Sequence, residues 1–227
     1  MAFQPIVDIR DKSVHAYESL IRGTDGSGAA SILAQVNDDN RYIFDQMCRV
    51  TAVEMAAKLG IDCFLSINFL PNAVYEAATC IRATLAAAKR CNFATERLIF
   101  EITENERHPE PQHLKNIVVE YKRQGFKTAL DDFGAGYAGL NALANFQPDI
   151  IKLDMELVRD IDKHAVRRTI VGGMIEICRA LNIEVIAEGI ESEGEFATLK
   201  SLGVYLYQGF LFARPGFETL PAVHWPD

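Results

Sequence analysis

Apolar and polar positions alternate from the start of the chain, so that Phe3 to Asp8 and His15 to Ile21 each read as a strand, with Arg10, Asp11 and Lys12 turning between them as a hairpin. Ser31 to Gln35 fits a short helix. Arg41 to Leu59 sets Ile43, Phe44, Met47, Val50, Val53 and Ala57 at helical spacing before Gly60. Cys63 to Phe69 then reads as a strand and the alanine-rich Ala73 to Arg90, behind Pro71, as a helix. Strands over Leu98 to Thr103, Lys127 to Phe133, Ile150 to Asp154, Glu184 to Gly189 and Tyr205 to Phe212 alternate with helices over Gln112 to Gln124, Leu140 to Asn145, Ala165 to Leu181 and Glu193 to Leu202. With the hairpin this makes about eight strands, a rhythm that predicts an α/β barrel in preference to an open sheet. Ala213 to Asp227, with Pro215, Pro221, Pro226 and Trp225, reads as a surface wrap.

The later strands are apolar in body and polar at the end: Asn68, Glu101, Asp131 with Asp132, Lys152 with Asp154, Glu188 and Gln208. One acid at a strand end is most simply a helix cap or turn former. Repetition at successive strand ends is not explained that way. In a parallel barrel these ends open on one mouth, where converging carboxylates require protons or cations. Oxygen donors point to Mg²⁺ or Mn²⁺, while His15, His108, His113, His164 and His224 lack zinc spacing and read as surface or packing residues. Two metals bridged by an aspartate suit phosphodiester hydrolysis, with Lys152 orienting the attacking hydroxide or stabilising charge on phosphorus.

Behind Asp132, Gly134 to Gly139 matches G-x-G-x-x-G after a strand, with Asp154 about 20 residues further on, as in a dinucleotide fingerprint. Two carboxylates with no basic residue at that loop would repel bare phosphate unless divalent metal lay between. The metal reading satisfies both features.

Composition narrows the classes further. With 227 residues and 49% hydrophobic side chains, the expectation is one domain over residues 1–227. A net charge of -8 argues against long nucleic acid or an anionic membrane as partner. Cys48, Cys63, Cys80, Cys91 and Cys178 form no C-x-x-C pair and suit reduced core thiols in a cytoplasmic protein. The opening MAFQPIV lacks the features of a signal peptide, and no apolar run approaches the roughly 18 residues of a membrane span. Because Phe3 already reads as strand, an upstream sensor domain is compatible with the sequence.

Glu18-Ser19-Leu20 with Arg22, the Asn68 strand, Glu101-Ile102-Thr103-Glu104, Asp131-Asp132-Phe133-Gly134, Lys152-Leu153-Asp154, Glu188-Gly189-Ile190-Glu191 and Gln208-Gly209 together resemble the EAL-domain phosphodiesterases. The resemblance spans nearly the whole chain. It implies a modified TIM-like (β/α)8 barrel with one antiparallel strand, hydrolysing cyclic di-GMP to linear pGpG with two Mg²⁺ or Mn²⁺. By this likeness Glu18, Asn68, Glu101 and Asp131 hold one metal, and Asp131 bridges to a second supported by Asp132. Lys152 and Glu188 act on the attacking water and Gln208 positions it, while Gln4, Leu20, Arg22 and Asp154 contact substrate. Glu104 and Glu191 are implied as loop anchors, and the loop and helix after Asp132 as a homodimer surface. Ser19 stands where the family usually has alanine, and Ala138 and Gly139 where it often has serines. The alternative is a silent cyclic di-GMP receptor or partner-binding module on the same barrel; a metal-dependent barrel lyase would leave the Glu18 motif and Gln208 without a role.

Overall fold

The structure, a computed structural model, describes residues 1–103, 111–135 and 139–226. Strands β1 (Ala2–Asp8) and β2 (Ser13–Leu20) form the expected antiparallel hairpin, from Ala2↔Leu20 to Asp8↔Ser13. Strands β3 (Phe64–Asn68), β4 (Leu98–Thr103), β5 (Lys127–Phe133), β6 (Ile150–Leu153), β7 (Glu184–Ala187) and β8 (Leu206–Tyr207) follow β2 in parallel order. β8 returns to pair antiparallel with β1, closing an eight-stranded barrel whose one reversed strand is β1. Around it lie helices α1 (Ala29–Leu33), α2 (Arg41–Lys58), α3 (Ala77–Cys80), α4 (Arg82–Cys91), α5 (Pro111–Arg123), α6 (Gly139–Asn145), α7 (Met155–Val158), α8 (Ala165–Ala180) and α9 (Glu193–Ser201).

Three expectations are corrected. The single helix over Ala73 to Arg90 is divided into a Pro71–Ala73 turn, α3 and α4, with Val74 extended and only 1% exposed. Burying Val74, Cys80 and Ile81 on one wall outweighs the helix propensity of the alanines. The last strand is shorter than Tyr205 to Phe212 because the chain turns at Gly209, where a Cβ would meet Ile190 O at 2.1 Å. The tail is not merely a wrap: Gly216–Phe217 forms β9 on β1. β8 reaches only Val7 and Asp8, so β9 pairs the backbone groups of Ala2 and Phe3 that would otherwise stay open.

Strand periodicity builds the barrel interior in two layers. Ile6, Ala16, Ile99, Ala129, Ile150, Ile186 and Leu206 form an apolar plug. Two residues further toward the mouth on the same strands stand Gln4, Glu18, Glu101, Asp131, Lys152, Glu188 and Gln208. The outer faces pack against the helices as two larger clusters, one around Phe100 and Tyr121 and the other around Phe133 and Tyr207. All five cysteines are free thiols. No helix among the described residues is long and apolar enough to cross a membrane.

The helix layer contains a buried ion pair of its own. Arg49 on α2 is fully buried, pairs with Asp45 and donates to the Tyr121 hydroxyl at 2.8 Å. Asp45 also accepts the Leu70 N–H at 2.9 Å, tying α2 to the segment behind β3. Breaking one partner leaves a charge in an apolar wall. Asp45→Leu alone should therefore cost about 3–5 kcal/mol in urea unfolding, and the double change Asp45→Leu with Arg49→Met less than that.

Candidate active site

The mouth is built around the Lys152 ammonium, whose residue is 1% exposed. Its Nζ lies 2.7 Å from Glu188 Oε1, 3.0 Å from Glu101 Oε1, 3.0 Å from Asp131 Oδ1 and 3.5 Å from Glu18 Oε2. The carboxylates draw its pKa well above the ordinary lysine value despite burial, so it is a fixed cation. One positive charge cannot neutralise four carboxylates. Burial and the neighbouring acids accordingly hold Glu101 and Glu188 well above the usual carboxylate range, against the pull of Lys152. Burial, with Asp131 and Asp154 nearby, pushes Asp132 up to about 6.

Strand ends position these groups. On β5 the pairing with β6 slips, from Leu130↔Ile151 to Phe133↔Leu153, so three steps on one strand oppose two on the other. Asp132 takes up the extra residue with φ of 53°, and both adjacent carboxylates reach the mouth. Amides orient Glu18: Asn68 Nδ2 donates to Oε1 at 2.8 Å and Gln208 Nε2 to Oε2 at 2.7 Å. Gln208 Nε2 also lies 3.2 Å from Gln4 Oε1. Asp154 caps α7, accepting the Glu156 N–H at 2.8 Å.

Above the cluster opens a cavity of about 310 Å³, lined by Gln4, Glu18, Asp131, Asp132, Lys152, Asp154, Glu188, Glu191 and Gln208, and by Phe210 on one wall. Lys152 is the one cation among its described lining residues. Leu20 and Asn68 instead line a neighbouring apolar cavity of about 200 Å³, and Arg22 a separate groove at the rim. Glu104 lies outside the described residues, as do Gly136 to Ala138 of the glycine loop. Ser66 is a residue that the strand-end reading passed over: its hydroxyl donates to Glu101 Oε1 at 2.6 Å. Its position two before Asn68, on the same face of β3, was the available signal.

The donor set fits hard divalent cations. Glu101 Oε2 is buried without a hydrogen-bond partner, a costly arrangement for a carboxylate oxygen unless a cation completes it. Glu18, Glu101 and Asp131 each offer an oxygen within 4.8 Å of the others, and so do Asp131, Asp132 and Glu188. The two groups share Asp131. Oxygen donors, with no histidine or thiol in these two groups among the described residues, suit a hard divalent cation better than a soft one.

The EAL domain family model matches residues 1–215, and the chain belongs to that family. It is 33% identical over 227 residues to the blue light- and temperature-regulated antirepressor BluF of Escherichia coli K12, covering 100% of this chain and 56% of BluF. It is 35% identical over 164 residues to the cyclic di-GMP phosphodiesterase PdeR of the same strain, covering 72% of this chain and 24% of PdeR. The chain thus spans little more than half the length of one curated relative and a quarter of the other. Among solved structures, the c-di-GMP bound form of a standalone versatile EAL protein from Vibrio cholerae O395 superposes with a TM-score of 0.96 at 54% identity, covering 99% of this chain and 94% of that one. A manganese/cy-diGMP complex of Klebsiella pneumoniae BlrP1 gives 0.90 at 35% identity, over 96% of this chain and 56% of that one.

The charge balance at Lys152 can be tested directly. A carboxyl whose folded pKa exceeds its unfolded value lowers stability as pH rises from the unfolded value through the folded one. Removing the ammonium pushes Glu101, Glu188 and Asp132 higher still. Lys152→Met in chelator should therefore lose about 3 kcal/mol at pH 8 and clearly less at pH 5, read by urea unfolding.

Proposed function

We propose that the chain hydrolyses cyclic di-GMP to linear 5′-pGpG with two divalent cations, Mg²⁺ or Mn²⁺, at the barrel mouth. The observation that carries this reading is the pair of carboxylate groups sharing Asp131 around Lys152, beneath an open cavity. The c-di-GMP bound Vibrio structure and the manganese complex of BlrP1 support it. In this assignment Glu18, Asn68, Glu101 and Asp131 hold one ion, and Asp131 with Asp132 holds the other. When bound, the ions supply Lewis acidity and lower the pKa of water.

The chain's own groups do the rest. The Glu188 carboxylate accepts the proton of the attacking water. Lys152 Nζ, 2.7 Å from Glu188 Oε1, balances negative charge that grows on the phosphoryl oxygens. Gln208, fixed between Glu18 and Gln4, orients the water by its remaining amide valences. The new bond joins water oxygen to phosphorus, the bond from phosphorus to the 3′ oxygen breaks, and that oxygen leaves with a proton as a hydroxyl. Gln4, Leu20, Arg22 and Asp154 contact the nucleotide, while Glu191 and Glu104 support the neighbouring loops. A homodimer through the loop after Asp132 and α6 is part of the same reading, supported by Leu140 on α6 and Val119 on α5, which are 60% and 58% exposed. The similarity to BluF and BlrP1, of which this chain covers 56%, makes an adjoining sensor domain in the cytoplasmic signalling protein the natural context.

A second reading, a regulator that binds without cutting, is favoured by the likeness to the antirepressor BluF. Turnover separates the two. Purified chain with cyclic di-GMP should yield pGpG with Mg²⁺ or Mn²⁺ and none in chelator, and Asp131→Asn should lower the rate at least about 100-fold without loss of fold. Nucleotide binding with no product in either metal would favour the regulator.

A further inference from the structure

Strand alternation turns Glu18 and Asn68 toward the mouth, and Ser19, Ile67 and Phe69 toward the helix layer. Where α1 and α2 cover these outer faces they leave a second cavity, of about 200 Å³. It shares no lining residue with the carboxylate cavity. Its walls are largely apolar, formed by Leu33 of α1, Phe44 of α2, and Ile67, Phe69 and Leu70 at the end of β3. An apolar cavity of about 150 Å³ is room enough for a benzene ring.

Ser19 carries the one buried polar atom without a partner among the described lining residues. The residue is 5% exposed, and its hydroxyl makes no hydrogen bond among the described residues. Other polar groups of the wall are already engaged: Asp45 accepts the Leu70 N–H at 2.9 Å and pairs with Arg49, and Asn68 Nδ2 donates to Glu18 Oε1 at 2.8 Å. Burial pushes the Cys48 thiol in the lining up to about 11, so it is neutral. No lysine, arginine or histidine lines the cavity. A buried hydroxyl left unpaired costs folding free energy, and a water needs two to four polar partners, which this wall does not offer. The outer side is closed by α1, which buries none of its residues and leaves Leu33 44% exposed.

We propose that this cavity is a ligand site for a small, neutral, apolar molecule carrying one hydroxyl group, which bonds the Ser19 hydroxyl while α1 closes over the apolar body. A hydroxyl both donates and accepts, so it pairs with serine in either sense. An anion is disfavoured, because no basic side chain lines the wall and the Asp45 carboxylate does. Asn68 gives the site its bearing on the mouth, since it lines this cavity and also holds Glu18. On the proposed metal reading, on which this link rests, occupancy changes how tightly the ions are held.

The experiment titrates p-cresol, and toluene as its match without the hydroxyl, into the chain in chelator. Backbone amides are followed by two-dimensional NMR in wild type, Ser19→Ala and Ala29→Phe, with circular dichroism to confirm folding. Both probes should shift the amides of residues 19–21 and 67–70, and the preference for p-cresol over toluene should fall about 5-fold in Ser19→Ala. Ala29→Phe fills the cavity from a helix that anchors nothing in the core, and should weaken both probes at least about 10-fold. Shifts confined to Gln4, Asp132 and Gln208, no saturable shift with either probe, or an unchanged preference in Ser19→Ala would overturn the site. Saturating p-cresol should also change Mn²⁺ affinity at least about 5-fold, and an unchanged affinity would overturn the link through Asn68. If no Mn²⁺ binds, the metal reading fails, while the titration in chelator still decides the cavity.

Discussion

The structure depends on how a barrel interior accommodates more negative charge than it can neutralise. Lys152 stands within 3.0 Å of carboxylate oxygens from three other strand ends, and its ammonium is the only chain cation among the described residues lining the cavity. The apolar plug beneath, of Ile6, Ile99, Ile150, Ile186 and Leu206, keeps water from relieving that charge from below. Such a cluster is unfavourable in isolation, since buried like charges raise one another's pKa and cost folding free energy above those values. On the proposed reading of the mouth as a cation site, stability is given up there to hold the ions.

Rigidity comes from the surroundings. Asn68 and Gln208 fix both oxygens of Glu18, Ser66 fixes one of Glu101, and the bulge at Asp132 places two consecutive carboxylates on the same side of the sheet. Outside the barrel, the buried Arg49, Asp45 and Tyr121 network and the aromatic packing of Phe69, Phe100 and Tyr121 brace the wall that carries β3 and β4. Pre-set donors of this kind need little rearrangement when a charged ligand arrives.

Much of this was legible in the chain because strand alternation is a strict rule. Apolar residues at one position and a charged residue two further on, repeated from β4 to β7 as Glu101, Asp131, Lys152 and Glu188, put these groups at one mouth as soon as the strands are parallel. What escaped the sequence depended on non-local terms. Alanine-rich residues 73–90 favour one helix, and only the pull of Val74 into the core divides it. The left-handed conformation of Asp132 has no glycine to announce it. β9 forms because β8 is too short to cover β1, a fact of barrel closure that nothing in the tail itself encodes. Ser19 read only as a departure from the family's alanine, and the cavity beside its hydroxyl is made by α1 and α2 closing over β2 and β3.

The most direct test of this account is the stoichiometry of divalent cation on the intact chain, by titrating Mn²⁺ at pH 8 and following free ion by electron paramagnetic resonance. The account predicts two ions per chain with cyclic di-GMP present, both weakened by Asp131→Asn because that carboxylate is common to the two groups. Binding of no ion, or binding indifferent to Asp131, would mean that Lys152 and shared protons alone balance the mouth, and would contradict it.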